Sequence, residues 1–358
     1  MKGLSKGQKV LVIALLFTLC VFSGRALAAY KDEYKLDLVP NIQTAWGQGA
    51  QYFCDLVKER SGGKINIRPY FSSQLTAGKQ TASMLLLRNG AIDFALQGVF
   101  NWAPQMPEFN LFALPFFMNT YEEIDAVKNG KAGKIIQDIL ESKGVHFLAW
   151  GENGYRAITN SKREIHVPDD LVGMKVRVVG SPLILDTFRA MGANPVNMNW
   201  NDVMSAVQQG VIDGQENPFN YFYVYKIQQY HPYISDWHYT CDALMYCVNP
   251  GVWKSFSPED QKLIKDCAEE AGKFEMAMAR VGLDDGSALK YLESIGKVPE
   301  LKDYYGAIQA EGAKVVRLSD DEVRQFVEKT QSVRDSWKDK IGKELYEAAE
   351  EDMKSVRK

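Results

Sequence analysis

The chain has 358 residues, 46% hydrophobic and 24% charged, with 28 Gly and 13 Pro, which excludes a disordered, collagenous or coiled-coil protein and suits two domains. Lys and Arg number 42 against 45 Asp and Glu, a net charge of −3 with no basic block, so the composition argues against a nucleic-acid partner. Four His and five Cys without CxxC or HExxH spacing argue against structural zinc and zinc-protease chemistry.

Lys2, Lys6 and Lys9 precede the apolar run Val10–Phe22, and Ala26-Leu27-Ala28 comes after it. A basic start, a short apolar stretch and a small-x-small site form a secretory signal peptide, residues 1–28, cut after Ala28. The run is shorter than the roughly 20 residues a membrane span needs. Cleavage removes four positive side chains and no acid, taking the net charge from −3 to −7. The mature chain is therefore expected as a soluble periplasmic protein. It keeps Cys54, Cys241, Cys247 and Cys267. Cys241 and Cys247 are too far apart along one extended segment to bridge, so buried free thiols are expected.

Strand and helix patterns then alternate. Lys35–Val39 alternates as a strand, and Trp46, Ala50, Phe53 and Val57 share one helix face. Ser61-Gly62-Gly63 stops that helix and a strand resumes at Ile65–Tyr70. A helix over Thr81–Asn89 leads to a strand at Ile92–Leu96, and further strands are expected at Val145–Trp150, Lys175–Val179, Ala243–Val248 and Ala313–Leu318. This rhythm predicts an α/β fold with largely parallel sheets. Ser257-Pro258-Glu259-Asp260 reads as a helix start, with a capping Ser, Pro in the first position and acids in the first turn. Leu263, Cys267, Ala271, Phe274 and Met278 continue one apolar face, and Gly282 and Gly286 are expected to kink or interrupt the helix before Leu289–Ile295. Ser319-Asp320-Asp321-Glu322 is a capping box opening the C-terminal helices.

No catalytic set is legible. There is no G-x-S-x-G elbow, and Gly47-x-Gly49 lacks the third glycine of a dinucleotide fingerprint. His146, His166, His231 and His238 are scattered and read as structural or surface residues; Asp169-Asp170 and Asp284-Asp285 read as caps. No enzyme activity, cofactor or metal ligand set is expected. What remains is arginine among aromatics. Arg177, inside Lys175-Val176-Arg177-Val178-Val179, is either an edge charge or a guanidinium fork for a carboxylate in a cleft, and Arg156 invites the same two readings. Trp46, Trp102, Trp150, Trp200 and Trp237 are core aromatics or walls of a water-poor pocket.

Asn153–Asn160, Gly173–Arg177 and Asp213-Gly214-Gln215-Glu216-Asn217-Pro218 resemble the DctP-type periplasmic solute-binding subunits of tripartite ATP-independent periplasmic (TRAP) transporters. Ser72-Ser73-Gln74-Leu75, Leu114-Pro115-Phe116-Phe117 and Ser257–Asp260 match in the same order, so the resemblance spans the mature chain. It implies a two-lobed clamshell with shared crossing strands and a long bracing helix, one lobe from 29–153 plus 243–282, the other from 154–242 plus 283–358. The family's ligand-clamping arginine falls on Arg177, its second arginine on Arg156, its asparagine on Asn217, and its aromatic position on Trp200. Gly98 and Asn101 stand where the sialic-acid branch carries an acid and an arginine, which disfavours a bulky sugar acid. With Trp46, Phe100, Trp102 and Trp237 the pocket would be compact and aromatic, holding a small mono- or dicarboxylate, with a C2 sulfonate or aromatic acid behind it. The implied partners are the small and large integral membrane subunits of the transporter, with the chain itself a monomer. The alternative is a sensory binding protein presenting an anion to a membrane receptor.

Overall fold

The computed structural model describes residues 30–357. The expected signal peptide, residues 1–28, lies outside them; among the described residues no helix is long and apolar enough to cross a membrane. The strands are β1 (Tyr34–Asp37), β2 (Ile67–Tyr70), β3 (Phe94–Gly98), β4 (His146–Tyr155), β5 (Ala157–Asn160), β6 (Lys175–Val178), β7 (Asn194–Asn197), β8 (Gly214–Asn217), β9 (Tyr233–Asp236), β10 (Cys241–Val248) and β11 (Lys314–Arg317). They form two sheets, ordered β2-β1-β3-β10-β4 and β11-β9-β5-β8-β6-β7. In the first, β1 runs parallel to β2 and β3, while β10 is antiparallel to β3 and β4. In the second, β5 alone runs against its neighbours β8 and β9. Each sheet is the centre of one lobe of an α/β clamshell, as expected.

The chain passes between the two sheets at two adjacent places, and a third time after β10, beyond which it reaches β11. One residue, Arg156, separates β4 in the first sheet from β5 in the second, and the segment from Trp237 to Thr240 carries β9 back to β10. The two crossings are tied together: the Arg156 amide donates to the Thr240 carbonyl at 3.0 Å, and the Trp237 indole N–H donates to the Arg156 carbonyl at 3.1 Å.

The long helix runs from Pro258 to Arg280, its first turn closed by Ser257 Oγ accepting from the Asp260 amide at 3.1 Å. It lies against the helix Ala45–Arg60 and β4, burying Ile264, Cys267, Ala271, Phe274 and Met278. Each such side chain contributes roughly 1–3 kcal/mol of transfer free energy. Contact with β4 is close enough to require glycine, because a Cβ on Gly272 would lie 2.2 Å from the Trp150 carbonyl oxygen. The helix stops at Arg280, with Gly282 (φ +74) and Gly286 (φ +91) in the left-handed region before the next helix, Ser287–Ser294. The glycines therefore interrupt the run. Farther on, Ser319 and Glu322 form the capping box, and the last helix, Lys343–Lys354, packs along Tyr121–Asn129 and Lys131–Ser142. Cys54, Cys241, Cys247 and Cys267 are buried and free.

Candidate ligand-binding site

Arg177 sits in the middle of β6, between β8 and β7. Its side chain is only 2% exposed, so the edge-charge alternative does not hold. Nε and Nη2 both donate to the Met198 carbonyl, at 3.0 and 2.8 Å, and the guanidinium lies 5.7 Å from the centre of the Trp200 ring. Among the described residues no carboxylate is within ion-pair distance of it. Burial pushes its pKa down to about 10; the Glu216 carboxylate opposes that shift and the Arg156 cation adds to it. A cation removed from water without a counter-charge is costly, and such a group is a natural receptor for an anion.

Arg156 is already matched. Its Nη2 donates to Glu216 Oε1 at 2.9 Å, to the Glu216 carbonyl at 2.8 Å and to Asn217 Oδ1 at 3.1 Å, while Nε meets Glu216 Oε2. Nη1 reaches Asp242 Oδ2 at 3.3 Å. Burial acts against the cation, but Glu216 and Asp242 outweigh it and hold the guanidinium well above its usual pKa. Glu216 also accepts from the Tyr239 hydroxyl at 2.7 Å.

These groups surround a small cavity of about 20 Å³, room for about one water. From the first lobe come Val39, Trp46, Gln80, Asn101, Asn153 and Asp242; from the crossing Arg156; from the second lobe Arg177, Val179, Trp200, Asn217 and Tyr221. Trp46 is fixed by its indole N–H donating to the Leu96 carbonyl at 3.0 Å, and Trp200 meets Tyr221 edge-on at 5.0 Å. Asn101 is held between Gln80 and Gln97, at 2.7 and 3.2 Å. A larger cavity, about 580 Å³, lies beside Asp236, His238 and Arg317. It is poorly suited to an anion: Arg317 is stacked 3.8 Å over Tyr305, and Asp236, Asp284 and Asp320 line the same walls.

The model of the bacterial extracellular solute-binding proteins of family 7, the DctP family, matches residues 39–298. The chain belongs to this family. The crystal structure of a TRAP periplasmic solute-binding protein from Ralstonia eutropha H16, with bound (S)-2-acetolactate, is similar at 42% identity and a TM-score of 0.85, covering 91% of this chain and 100% of that one. A sugar-acid-binding protein from Advenella mimigardefordensis, in complex with galactonate, is 27% identical with a TM-score of 0.79, covering 91% and 98%. A solute-binding protein of Roseobacter denitrificans is 30% identical over 316 residues, 86% of this chain and 94% of the relative.

In this DctP-family protein, six of the seven residues singled out from sequence meet at one cavity: Arg177, Arg156, Asn217, Trp200, Trp46 and Asn101. Trp237 does not join them. It is packed among Phe116, Phe188, Tyr239 and Phe326, lines the larger cavity, and supports the site through the Arg156 carbonyl. Phe100 and Trp102 are also in the core, Phe100 5.8 Å from the Arg156 guanidinium. Gln80, Asn153, Tyr221 and Asp242 escape sequence reasoning. Asp242 had a visible signal, a lone acid at the start of an apolar strand; Gln80, in an irregular polar segment, had none.

Proposed function

We propose that this DctP-family protein captures a small organic anion in the periplasm and delivers it to the membrane subunits of a TRAP transporter, making and breaking no covalent bond. The observation that carries this reading is Arg177, a buried guanidinium with no carboxylate at ion-pair distance among the described residues. A ligand carboxylate would supply that charge, gripped by the planar fork and walled by Trp200, Trp46 and Tyr221. Asn217 and Arg156 complete the polar wall. Because contributors come from both lobes, a ligand touching them favours the closed state over the open one and shifts the population toward it.

The Ralstonia relative, with its bound 2-acetolactate, supports a compact acid. The test is a thermal-shift panel on residues 29–358 spanning short hydroxy and keto acids, dicarboxylates, C2 sulfonates, aromatic acids and sugar acids. An anion at 100 times its dissociation constant should stabilise the protein by about 2.7 kcal/mol. The shift should vanish in Arg177→Ala. A panel without any shift, or unchanged affinity in that variant, would overturn the reading.

A further inference from the structure

Asp242 is a carboxylate in an otherwise apolar strand, 3% exposed, lining the same cavity as Arg177. All its good hydrogen bonds go to one oxygen: Oδ2 accepts from Asn153 Nδ2 at 3.2 Å and from Arg156 Nη1 at 3.3 Å. Oδ1 has no partner; the Phe100 amide faces the carboxylate without closing a bond of good geometry. Asn153 repeats the pattern, its nitrogen spent on Asp242 and its Oδ1 unpartnered. The wall thus presents two buried acceptors in want of a donor, and a buried acceptor left unpaired is costly.

The backbone opposite makes room for this carboxylate. β3 pairs with β10 so that Gly98 faces Leu244, and a Cβ on Gly98 would lie 3.0 Å from Asp242 Oδ1 and 3.2 Å from Oδ2. Charge balance points the same way. Glu216 and Asp242 both pair with Arg156, and Arg177 has no carboxylate at ion-pair distance among the described residues. A monoanion would match Arg177, whereas the second carboxylate of a dianion would meet Asp242 with no cation left to match it.

We infer that Asp242 sets the ligand class: with Asn153 Oδ1 it accepts a hydrogen bond from a hydroxyl on the anion held by Arg177, and it turns away a second carboxylate. The ligand is then a small hydroxy monocarboxylate rather than a dicarboxylate. This rests on the proposed role of Arg177 and adds a separate one. A site built to pair a ligand hydroxyl discriminates strongly against the analogue lacking it.

The test is calorimetric titration at pH 8 with three probes of similar size: 2-hydroxyisobutyrate, isobutyrate and methylmalonate. The wild type should bind 2-hydroxyisobutyrate at least tenfold tighter than isobutyrate and should not bind methylmalonate. In Asp242→Asn the hydroxyl preference should fall at least threefold and methylmalonate binding should emerge. Gly98→Ala crowds the carboxylate while leaving Arg156 its partner, and should lose the same preference should Asp242→Asn fail to fold. Equal binding of the two monocarboxylates, still dependent on Arg177, would overturn the role of Asp242 alone. A hydroxyl preference unchanged in both variants would do the same. No monocarboxylate binding at all would overturn the Arg177 reading and this one with it.

Discussion

Gln80 caps a helix that belongs to the opposite lobe. Its Oε1 accepts a hydrogen bond at 2.8 Å from the amide of Trp200, the first residue of the helix Trp200–Gln208, whose own cap residue Asn199 supplies no side-chain bond. Helix starts leave amides without internal partners, so the Trp200 N–H needs an outside acceptor. From Gln80 the chain of bonds continues through Asn101 and Gln97 to Asp37 in β1, at 2.7, 3.2 and 2.8 Å. Nearby, Asn201 Nδ2 donates to the Ser72 carbonyl at 2.9 Å, a second tie across the mouth.

Gln80→Ala should therefore act on closure. Losing one such bond costs about 1 kcal/mol of the closed state, or roughly fivefold in affinity. The open form re-solvates the Trp200 amide, so ligand-free stability should barely move. Stopped-flow release of bound ligand should be faster in the variant, and an unchanged release rate would remove Gln80 from the closing mechanism.

Arg177→Met should separate stability from binding. A buried cation without a counter-charge burdens the fold, and an apolar side chain of similar length relieves that burden. Replacing buried charge by packed apolar groups is neutral or stabilising, by about 1–4 kcal/mol in favourable cases. The urea midpoint of the ligand-free variant should hold or rise while ligand-induced stabilisation disappears. A marked loss of ligand-free stability would mean that Arg177 serves the fold first.

Acid should weaken the protein through His231. This residue is 1% exposed, its Nδ1 is 3.3 Å from Thr159 Oγ1, and burial pushes its pKa down to about 4, against partial opposition from Asp213. The unfolded chain then binds a proton that the folded one refuses, so stability is lost as the pH falls from about 6.5 toward 4, on the order of 2–3 kcal/mol. Asp37 and Asp242, both raised to about 6 by burial, work in the opposite direction over the range between their unfolded values and 6. The histidine is isolated by comparing urea unfolding of wild type and His231→Gln at pH 7 and 4.5. Parallel losses in the two proteins would contradict this assignment.

Gly272→Ala reverses an ordinary expectation. Alanine inside a helix is worth about 1 kcal/mol over glycine. Here the added carbon meets the Trp150 carbonyl, so the helix must lift from β4, at a cost of about 1–3 kcal/mol. A lower urea midpoint is expected; a higher one would show the helix free to shift.

How legible the protein was in its sequence depended on which force places each part. The apolar strands β1, β3, β6 and β10 and the capped helix from Pro258 follow from periodicity and capping chemistry alone. β8, Gly214-Gln215-Glu216-Asn217, does not. It is a wholly polar strand buried in the second sheet, held because Gln215 donates to Thr159 at 2.9 Å, Asn217 donates to Gln215 at 2.6 Å, and Glu216 takes the Arg156 fork. Hydrophobic alternation cannot detect it. Arg177 stood out as a charge inside an apolar run, and Asp242 carries the same signal. Gln80 and Asn153 are polar residues among polar neighbours, and only the three-dimensional meeting of the lobes gives them a part. Trp237 reads as a site residue in the sequence because aromatic character alone does not tell a pocket wall from the packing behind it.

The tie at Arg156 bears on how the lobes can move. Its guanidinium joins Glu216 of the second sheet to Asp242 of the first, and its own backbone is one of the places where the chain changes sheets. Lobes swinging about that point turn around the tie instead of pulling across it, much as doors turn about a pin. The strongest charge pairing in the cleft then has no lever arm in the motion and need not be broken and remade with each load carried. The resistance to opening is left to weak, neutral bonds at the rim, which thermal energy can undo at each turn of the cycle.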